Sequence, residues 1–279
     1  MICTDKRVIQ TLSKDDALDR SKRGMPVELT RQDEFAVITL NRPEALNALS
    51  FEIVGEIGNA IAEAAATDAR ALIITGAGDR AFSAGADIKE LYGRSLGEQK
   101  ASAHRGQRLF AQLDDIPIAS IALINGYAFG GGMELALACT YRLATPSAKV
   151  GLPEIKLGLI PGYGGTIRLP RLVGEGRALD LVMTGRTVEA MEAERIGLVS
   201  RIIEGDPMEG AMAYAREFTC YSLPVLKLAR ESVMRALDVS VLEGLKIEAD
   251  LNTLAFQTED SLEGMNAFVD KREAKFKDR

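Results

Sequence analysis

Two glutamates, Glu134 and Glu154, lie in an apolar and glycine-rich stretch of the sequence, residues 119–154. Glu134 is followed by Leu-Ala-Leu-Ala, which predicts a helix buried on nearly every side. A buried carboxylate costs free energy unless it has a hydrogen-bonding partner. Either glutamate alone could be a structural acid, but together, each beside a glycine-rich turn, they indicate a general acid/base pair. In a site with little water, we expect coupled titrations and pKa values above that of free glutamate.

Two glycine-rich loops could supply the donors for such a site. Residues 125–132 (NGYAFGGG) connect a predicted strand to a helix that begins near Gly131. The N-terminus of a helix offers unpaired backbone N–H groups and the positive end of the helix dipole. Residues 82–89 (FSAGADIK) also follow a strand and contain mostly small side chains. Close packing alone could explain the glycines, but one N–H group from each loop would form an oxyanion hole.

The elements that must hold these loops alternate between strand and helix. Phe35–Leu40 and residues 71–75 and 118–124 read as buried strands, and the spacing of Ile53, Ile57 and Ile61 predicts a helix. This alternation favours an α/β fold in which turns at strand ends form the site. Further along the chain, the sequence predicts a polar, exposed helix at 99–114, a helix at 187–197 capped by Thr187, a strand at 199–203 and helices at 224–237, 242–256 and 261–276.

These patterns divide the chain into three parts. Residues 1–24 are charged and lack an apolar segment, so we interpret them as a poorly ordered N-terminal extension rather than a secretory signal. Residues 25–205 form the α/β core, and residues 206–279 form a helical C-terminal region. No linker separates the last two as independent domains.

Composition excludes several classes of function. The net charge of −6 gives no general basic field for nucleic acid, and no apolar run approaches a membrane span. The three cysteines are far apart, which fits reduced thiols in a cytoplasmic protein. The single histidine, His104, lies in a charged segment and is expected at the surface, so we expect no metal site.

Two weaker patterns remain. Residues 76–81 (GAGDRA) match the G-x-G-x-x-A form of a dinucleotide fingerprint, which leaves an NAD-dependent oxidoreductase as an alternative. Against this alternative, a loop is predicted after the fingerprint where a helix should begin, and no acidic residue ends a second strand. Residues 271–279 (KREAKFKDR) are either a solvated basic face or a contact for phosphate.

Taken together, several motifs resemble those of an enoyl-CoA hydratase of the crotonase (enoyl-CoA hydratase/isomerase) superfamily, in the family's order and at compatible spacing. They are residues 40–49 (LNRPEALNAL), 81–90 (AFSAGADIKE), 125–134 (NGYAFGGGME), 153–166 (PEIKLGLIPGYGGT) and 263–272 (EGMNAFVDKR). The resemblance implies a right-handed spiral of ββα units with a helical C-terminal region that assists assembly into a homotrimer or a hexamer, a dimer of trimers. It also implies an acyl-CoA thioester substrate, β-oxidation of fatty acids as the setting, and no cofactor beyond the coenzyme A of the substrate.

The resemblance also assigns residues. It implies that the N–H groups of Ala86 and Gly131 hold the thioester oxygen, that Glu134 and Glu154 are the acid and base, and that the Gly162 N–H positions the water. Glu134 is expected to act mainly as the base and Glu154 mainly as the acid. The residues implied for coenzyme A binding are Ala45, Leu46, Ala84, Ala86, Asp87, Ile88, Lys89, Phe268 and Lys271, the last two often from a neighbouring subunit.

Some positions depart from the family pattern, and some alternatives stay open. Leu152 replaces a frequent glutamine, Met133 a frequent cysteine and Glu44 a frequent coenzyme-binding lysine, which bears on substrate range. Tyr163, beside Gly162, could shape the acyl pocket.

Double-bond isomerisation is the nearest alternative reaction, although retention of both glutamates favours hydration. A non-catalytic RNA-binding relative is disfavoured by the acidic net charge.

Overall fold

The computed structural model describes residues 25–279, and the predicted extension at 1–24 lies outside the described residues. The strands are β1 (Val27–Gln32), β2 (Phe35–Leu40), β3 (Ala71–Gly76), β4 (Ala81–Ser83), β5 (Ala119–Ile124), β6 (Tyr127–Phe129), β7 (Tyr141–Ala144), β8 (Lys149–Gly151), β9 (Val188–Glu189) and β10 (Arg201–Ile202). The helices are α1 (Phe51–Ala65), α2 (Ile88–Leu91), α3 (Leu96–Asp115), α4 (Gly131–Ala138), α5 (Gly165–Val173), α6 (Glu175–Thr184), α7 (Ala190–Arg195), α8 (Pro207–Thr219), α9 (Leu223–Arg235), α10 (Val241–Ala255) and α11 (Glu259–Asp270).

A six-stranded sheet in the order β1-β2-β3-β5-β7-β10 forms the centre of the molecule. The β1–β2 pair is antiparallel, and the remaining pairs are parallel. Val37 and Ile73 pack with α8 on one face, whereas Ile38 and Ile74 pack with α1 and α4 on the other. Because both faces are buried, the strands read as continuous apolar runs. The predicted strands at 35–40, 71–75 and 118–124 are thereby confirmed.

A smaller sheet in the order β4-β6-β8-β9 lies beside the first, and its first three strands are parallel. Each of β3, β5 and β7 of the large sheet is followed along the chain by a short strand of the small sheet. A helix then follows, so the unit β-β-α repeats three times in succession. Because β4, β6 and β8 are parallel, the loops that follow them, including residues 84–87 and Gly130, lie together at the carboxyl-terminal ends of these strands.

The helix predicted at 187–197 is wrong in its first part. Val188 pairs antiparallel with Val150 of β8, and Glu189 pairs with Lys149, so these residues form β9. Helix α7 starts only at Ala190 and has no side-chain cap. Pairing with the open edge of the small sheet outweighs the local preference of Thr187 for a cap.

Helix α3 is partly buried rather than exposed as predicted. A capping box of Ser95 and Glu98 starts it, and Gly106 and Phe110 are buried against the core. His104 is on its exposed side, as predicted. No helix within residues 25–279 is long and apolar enough to cross a lipid bilayer.

The C-terminal helices predicted at 224–237 and 242–256 are confirmed as α9 and α10, but the last predicted helix is too long. Lys271 takes a left-handed conformation with φ of 54° and ends α11. The residues that follow fold back onto the buried carboxylate of Asp260, which accepts hydrogen bonds from the N–H groups of Lys277 (2.6 Å) and Asp278 (2.8 Å). Asp278 in turn pairs with Arg70 at 2.6 Å. These contacts hold the tail in an irregular conformation.

Candidate active site

Glu134 lies in the first turn of α4, a helix whose eight residues are all buried, as predicted. The residue is 2% exposed. Its Oε1 accepts hydrogen bonds from the backbone N–H groups of Tyr163 (2.7 Å) and Gly165 (2.8 Å). Burial raises the pKa of Glu134, and the N–H groups act against that rise because they stabilise the ionised form. The carboxylate is therefore fixed in position by two donors.

Glu154 lies in the 3₁₀ turn Pro153–Leu157 after β8, where its own backbone N–H acts to lower the pKa of its carboxyl group. Its Oε2 is buried without a hydrogen-bond partner in the described chain. Gly130, the residue before α4, has a φ of 50°, which favours glycine, and a Cβ added to it would lie 3.0 Å from the Oε1 of Glu154. Burial, with a smaller contribution from the charge of Glu134, raises the pKa of Glu154 to about 7. Both pKa values shift in the expected direction, and the two carboxylates are close enough to interact.

The turn before α5 carries the donors that hold Glu134. Gly164 has a φ of 119°, a conformation that glycine adopts readily. The carbonyl of Gly162 accepts a hydrogen bond from Gln107 of α3 at 3.0 Å, and the Gly162 backbone also helps to lower the pKa of Glu134. The structure thus places Gly162 beside the buried carboxylate.

The N–H groups of Ala86 and Gly131 lie next to each other. Leu49 accepts a hydrogen bond from Asp87 and donates one to Gly85, so in this parallel bridge the Ala86 N–H faces away from Leu49. Gly131 is the first residue of α4, and a Cβ added to it would lie 3.5 Å from the Ala86 nitrogen. In the described chain, neither N–H donates to a backbone acceptor. The two predicted loops therefore bring together two unpaired N–H groups that can stabilise an oxyanion, and this place is called the oxyanion pocket below.

The residues expected to bind coenzyme A form one rim beside this pocket. The Ala84 N–H donates to the Leu46 carbonyl at 2.9 Å, which joins the two segments. Asp87 caps α2 by accepting from the Lys89 N–H at 3.1 Å, and Ile88 is 51% exposed. The structure brings together Ala45, Leu46, Ala84, Ala86, Asp87, Ile88 and Lys89.

Two asparagines that sequence reasoning did not single out hold the rim in place. Asn47 has a φ of 55° and is 2% exposed, and its amide donates to the Ala81 carbonyl at 2.7 Å. The Asn125 amide donates to the carbonyls of Gly76 and Gly78, each at 2.7 Å. Asparagine just after a strand end, or in a turn that needs positive φ, is the signal that could have identified them.

The dinucleotide alternative is not supported by the structure. Residues 76–81 lead into strand β4, whereas a dinucleotide fingerprint must open a helix whose N-terminus holds the pyrophosphate. The carbonyls of this segment are also bound by Asn125. The glycines serve the turn between two strands.

Phe268 and Lys271 are not joined to the rest of the site. In the described chain, no hydrogen bond, ion pair or ring contact links either residue to residues 84–89. Phe268 is 86% exposed. The tail after α11 is instead anchored to Arg70, just before β3. The rim follows the other end of β3, and a strand of six residues is about 20 Å long.

The fold and the site define a class: an α/β protein of ββα units with paired carboxylates and two converging N–H groups at a helix N-terminus. Comparison with known proteins assigns the chain to a family. The sequence profile of the enoyl-CoA hydratase/isomerase family matches residues 30–279. The chain therefore belongs to the enoyl-CoA hydratase/isomerase family, which confirms the resemblance and the expected enzyme class.

Individual relatives cover nearly the whole chain. A probable enoyl-CoA hydratase of Rhizobium meliloti is 43% identical over 89% of this chain and 96% of its own length. A crotonyl-CoA hydratase of Syntrophomonas wolfei is 40% identical over 89% of this chain and 96% of its own length. The crystal structure of enoyl-CoA hydratase from Bacillus anthracis has a TM-score of 0.86 and 36% identity, and it covers 91% of this chain and 100% of its own. The expected crotonase fold is confirmed.

Proposed function

We propose that the protein reversibly adds water to a trans-2-enoyl-CoA to give a 3-hydroxyacyl-CoA. The observation that carries the proposal is the meeting of the buried Glu134 and the half-buried Glu154 with the N–H groups of Ala86 and Gly131 at one end of α4. The crotonyl-CoA hydratase and the probable enoyl-CoA hydratase among the relatives support this reaction.

In the proposed mechanism, the thioester oxygen accepts hydrogen bonds from Ala86 and Gly131, which stabilises the enolate-like charge that develops during addition. Glu134 removes a proton from water while the water oxygen bonds to Cβ. The electron pair of the double bond moves toward the thioester, and Cα takes a proton from Glu154. The Gly162 N–H helps to position the water. No net proton is consumed, so the acid and base exchange roles in the reverse direction.

The hydrogen bonds of the two glutamates support this division of roles. Glu134 accepts two backbone hydrogen bonds, which favour its ionised form as a base. The buried Oε2 of Glu154 has no partner in the described chain, which favours a protonated acid, and its pKa is raised to about 7. The active pair therefore holds one proton.

This protonation state predicts a bell-shaped pH dependence of kcat/KM for crotonyl-CoA. Activity falls as the pH rises through about 7, because Glu154 loses its proton. Activity also falls at lower pH, because Glu134 gains a proton. Since the equilibrium constant does not depend on pH, dehydration of 3-hydroxybutyryl-CoA must show the same two limbs. A flat profile through neutral pH would contradict the assignment.

The reaction itself is tested by following the loss of enoyl thioester absorbance when purified protein is mixed with crotonyl-CoA. We expect rapid loss, with 3-hydroxybutyryl-CoA identified by mass spectrometry. The same assay with a trans-3-enoyl-CoA separates hydration from isomerisation, because an isomerase would give the conjugated 2-enoyl thioester. Isomerisation without hydration would refute the proposal.

The proposal extends to substrate binding and assembly. The rim at residues 84–89 takes the coenzyme A portion, while Phe268 and Lys271 contact it from a neighbouring subunit of a homotrimer or a dimer of trimers. Exposed apolar side chains on the C-terminal helices, including Val241 (78%) and Val269 (77%), support such an assembly. We place the reaction in fatty acid β-oxidation in the cytoplasm.

A further inference from the structure

The aromatic ring of Tyr163 fills the gap between α3 and the N-terminus of α4. A Cβ added to Gly106 of α3 would lie 2.4 Å from Cδ1 and Cε1 of this ring, so only glycine allows it there. On the opposite edge, a Cβ added to Gly131 would lie 3.5 Å from its Cδ2. The ring therefore stands directly beside the proposed oxyanion pocket.

The ring is held on other sides as well. Phe110 packs edge-on against it, with ring centres 5.5 Å apart. The backbone N–H of Tyr163 donates to Glu134, which ties the start of the side chain to the reacting centre. Only 9% of the residue is exposed. A side chain confined in this way cannot move aside without displacing its neighbours.

The hydroxyl group shows no role in proton transfer. Burial, followed by the charge of Glu134, raises the pKa of Tyr163 to about 12, so the phenol stays protonated at neutral pH. No hydrogen bond joins this hydroxyl to another described residue. What the side chain contributes to the site is therefore the volume of its ring.

A cavity of about 790 Å³ extends from Tyr163 and Gly164 between α3, α5 and α9. Ala111 of α3, Ile167 of α5 and Met234 of α9 contribute apolar lining, and most of the other lining side chains are charged. Tyr163 thus forms part of the boundary of this cavity, and one edge of its ring faces Gly131. Removing the ring would open a path from the oxyanion pocket into the cavity.

We propose that the Tyr163 ring is the wall that ends the acyl site, and that it restricts the enzyme to short-chain trans-2-enoyl thioesters. This inference rests on the proposed function and names the substrate class of the same site. The carbons beyond Cβ must leave the space between the oxyanion pocket and Glu134. The ring occupies the side toward α3, so a chain that extends in this direction beyond Cβ meets the ring.

The test is a set of kcat/KM values for crotonyl-, trans-2-hexenoyl- and trans-2-octenoyl-CoA, measured with the wild type and with Tyr163→Ala, Tyr163→Leu and Tyr163→Phe. We expect the wild type to prefer crotonyl-CoA. Tyr163→Ala should raise the octenoyl-to-crotonyl ratio by about 10- to 100-fold, because pocket volume discriminates chain length on this scale. Tyr163→Leu should give an intermediate ratio, and Tyr163→Phe, which keeps the ring, should keep the wild-type ratio.

Two different measurements test the proposed reaction and the proposed role of the Tyr163 ring. Turnover of crotonyl-CoA by the wild type tests the function, whereas the change in ratio tests the wall. An unchanged ratio in both Tyr163→Ala and Tyr163→Leu would overturn the inference, as would a change in Tyr163→Phe equal to that in Tyr163→Ala. If the wild type turns over no enoyl-CoA, the Kd ratio of octanoyl-CoA to butyryl-CoA in the same variants decides the question by binding alone.

Discussion

Glu154→Gln and Glu134→Gln are each expected to lower kcat/KM for crotonyl-CoA hydration by about 10³-fold, the range typical of a lost general acid or base. Glutamine keeps the size of the side chain but can neither hold nor accept the transferred proton. In Glu134→Gln, the amide oxygen can still accept from Tyr163 and Gly165, so the turn before α5 should keep its conformation. The measurement is steady-state hydration, with circular dichroism to check folding.

Glu175→Gln is the matched control, because Glu175 is exposed in the first turn of α6 and outside the site. It should retain wild-type activity. Near-normal turnover in both Glu134→Gln and Glu154→Gln would show that the paired carboxylates do not carry the proton transfers. A loss in only one of them would favour the single-carboxylate chemistry of an isomerase.

Gly131→Pro is expected to lower kcat by about 10²- to 10³-fold, the cost of losing one donor of an oxyanion hole. Proline is tolerated at the first position of a helix, where its missing N–H has no partner within the helix. The added Cβ is at contact distance from Ala86 and Tyr163, so α4 should still form. The variant therefore removes the donor with little change to the fold.

Gly131→Ala controls for the added carbon, because it has the same Cβ and keeps the N–H. The ratio of kcat between the alanine and proline variants sets an upper limit on the contribution of the donor, because the proline Cδ also takes the place of the amide hydrogen. Equal kcat values in the two variants would mean that the Gly131 N–H does not stabilise the transition state. Thermal unfolding of both proteins checks that the comparison is between folded states.

The central strands could be predicted because burial on both faces leaves a simple signature. β2, β3 and β5 are uninterrupted apolar runs, and each predicted range agrees with the structure to within a residue at each end. The three-residue strands β4, β6 and β8 have no such signature, since three residues are too few to show an alternation or an apolar run. Strand β9 depends on pairing with β8, which no local window of sequence contains.

Candidate site residues could be predicted where a residue type is unusual for the sequence around it. An acid on the apolar helix α4 and glycines after two strands identified Glu134 and both loops from residue types alone. Positions that depend on distant contacts could not be found in this way. The packing of Tyr163 against Gly106 joins residues far apart in sequence, and so does the ion pair of Asp278 in the C-terminal tail with Arg70.

The most direct test of water addition by the paired glutamates is hydration of crotonyl-CoA in water enriched in oxygen-18, with the product examined by mass spectrometry. We expect the wild-type product to be 3-hydroxybutyryl-CoA with one oxygen-18 atom on Cβ, formed at a rate that Glu134→Gln and Glu154→Gln both reduce strongly. A product without the label would contradict this mechanism, and so would a labelled product that both variants form as fast as the wild type.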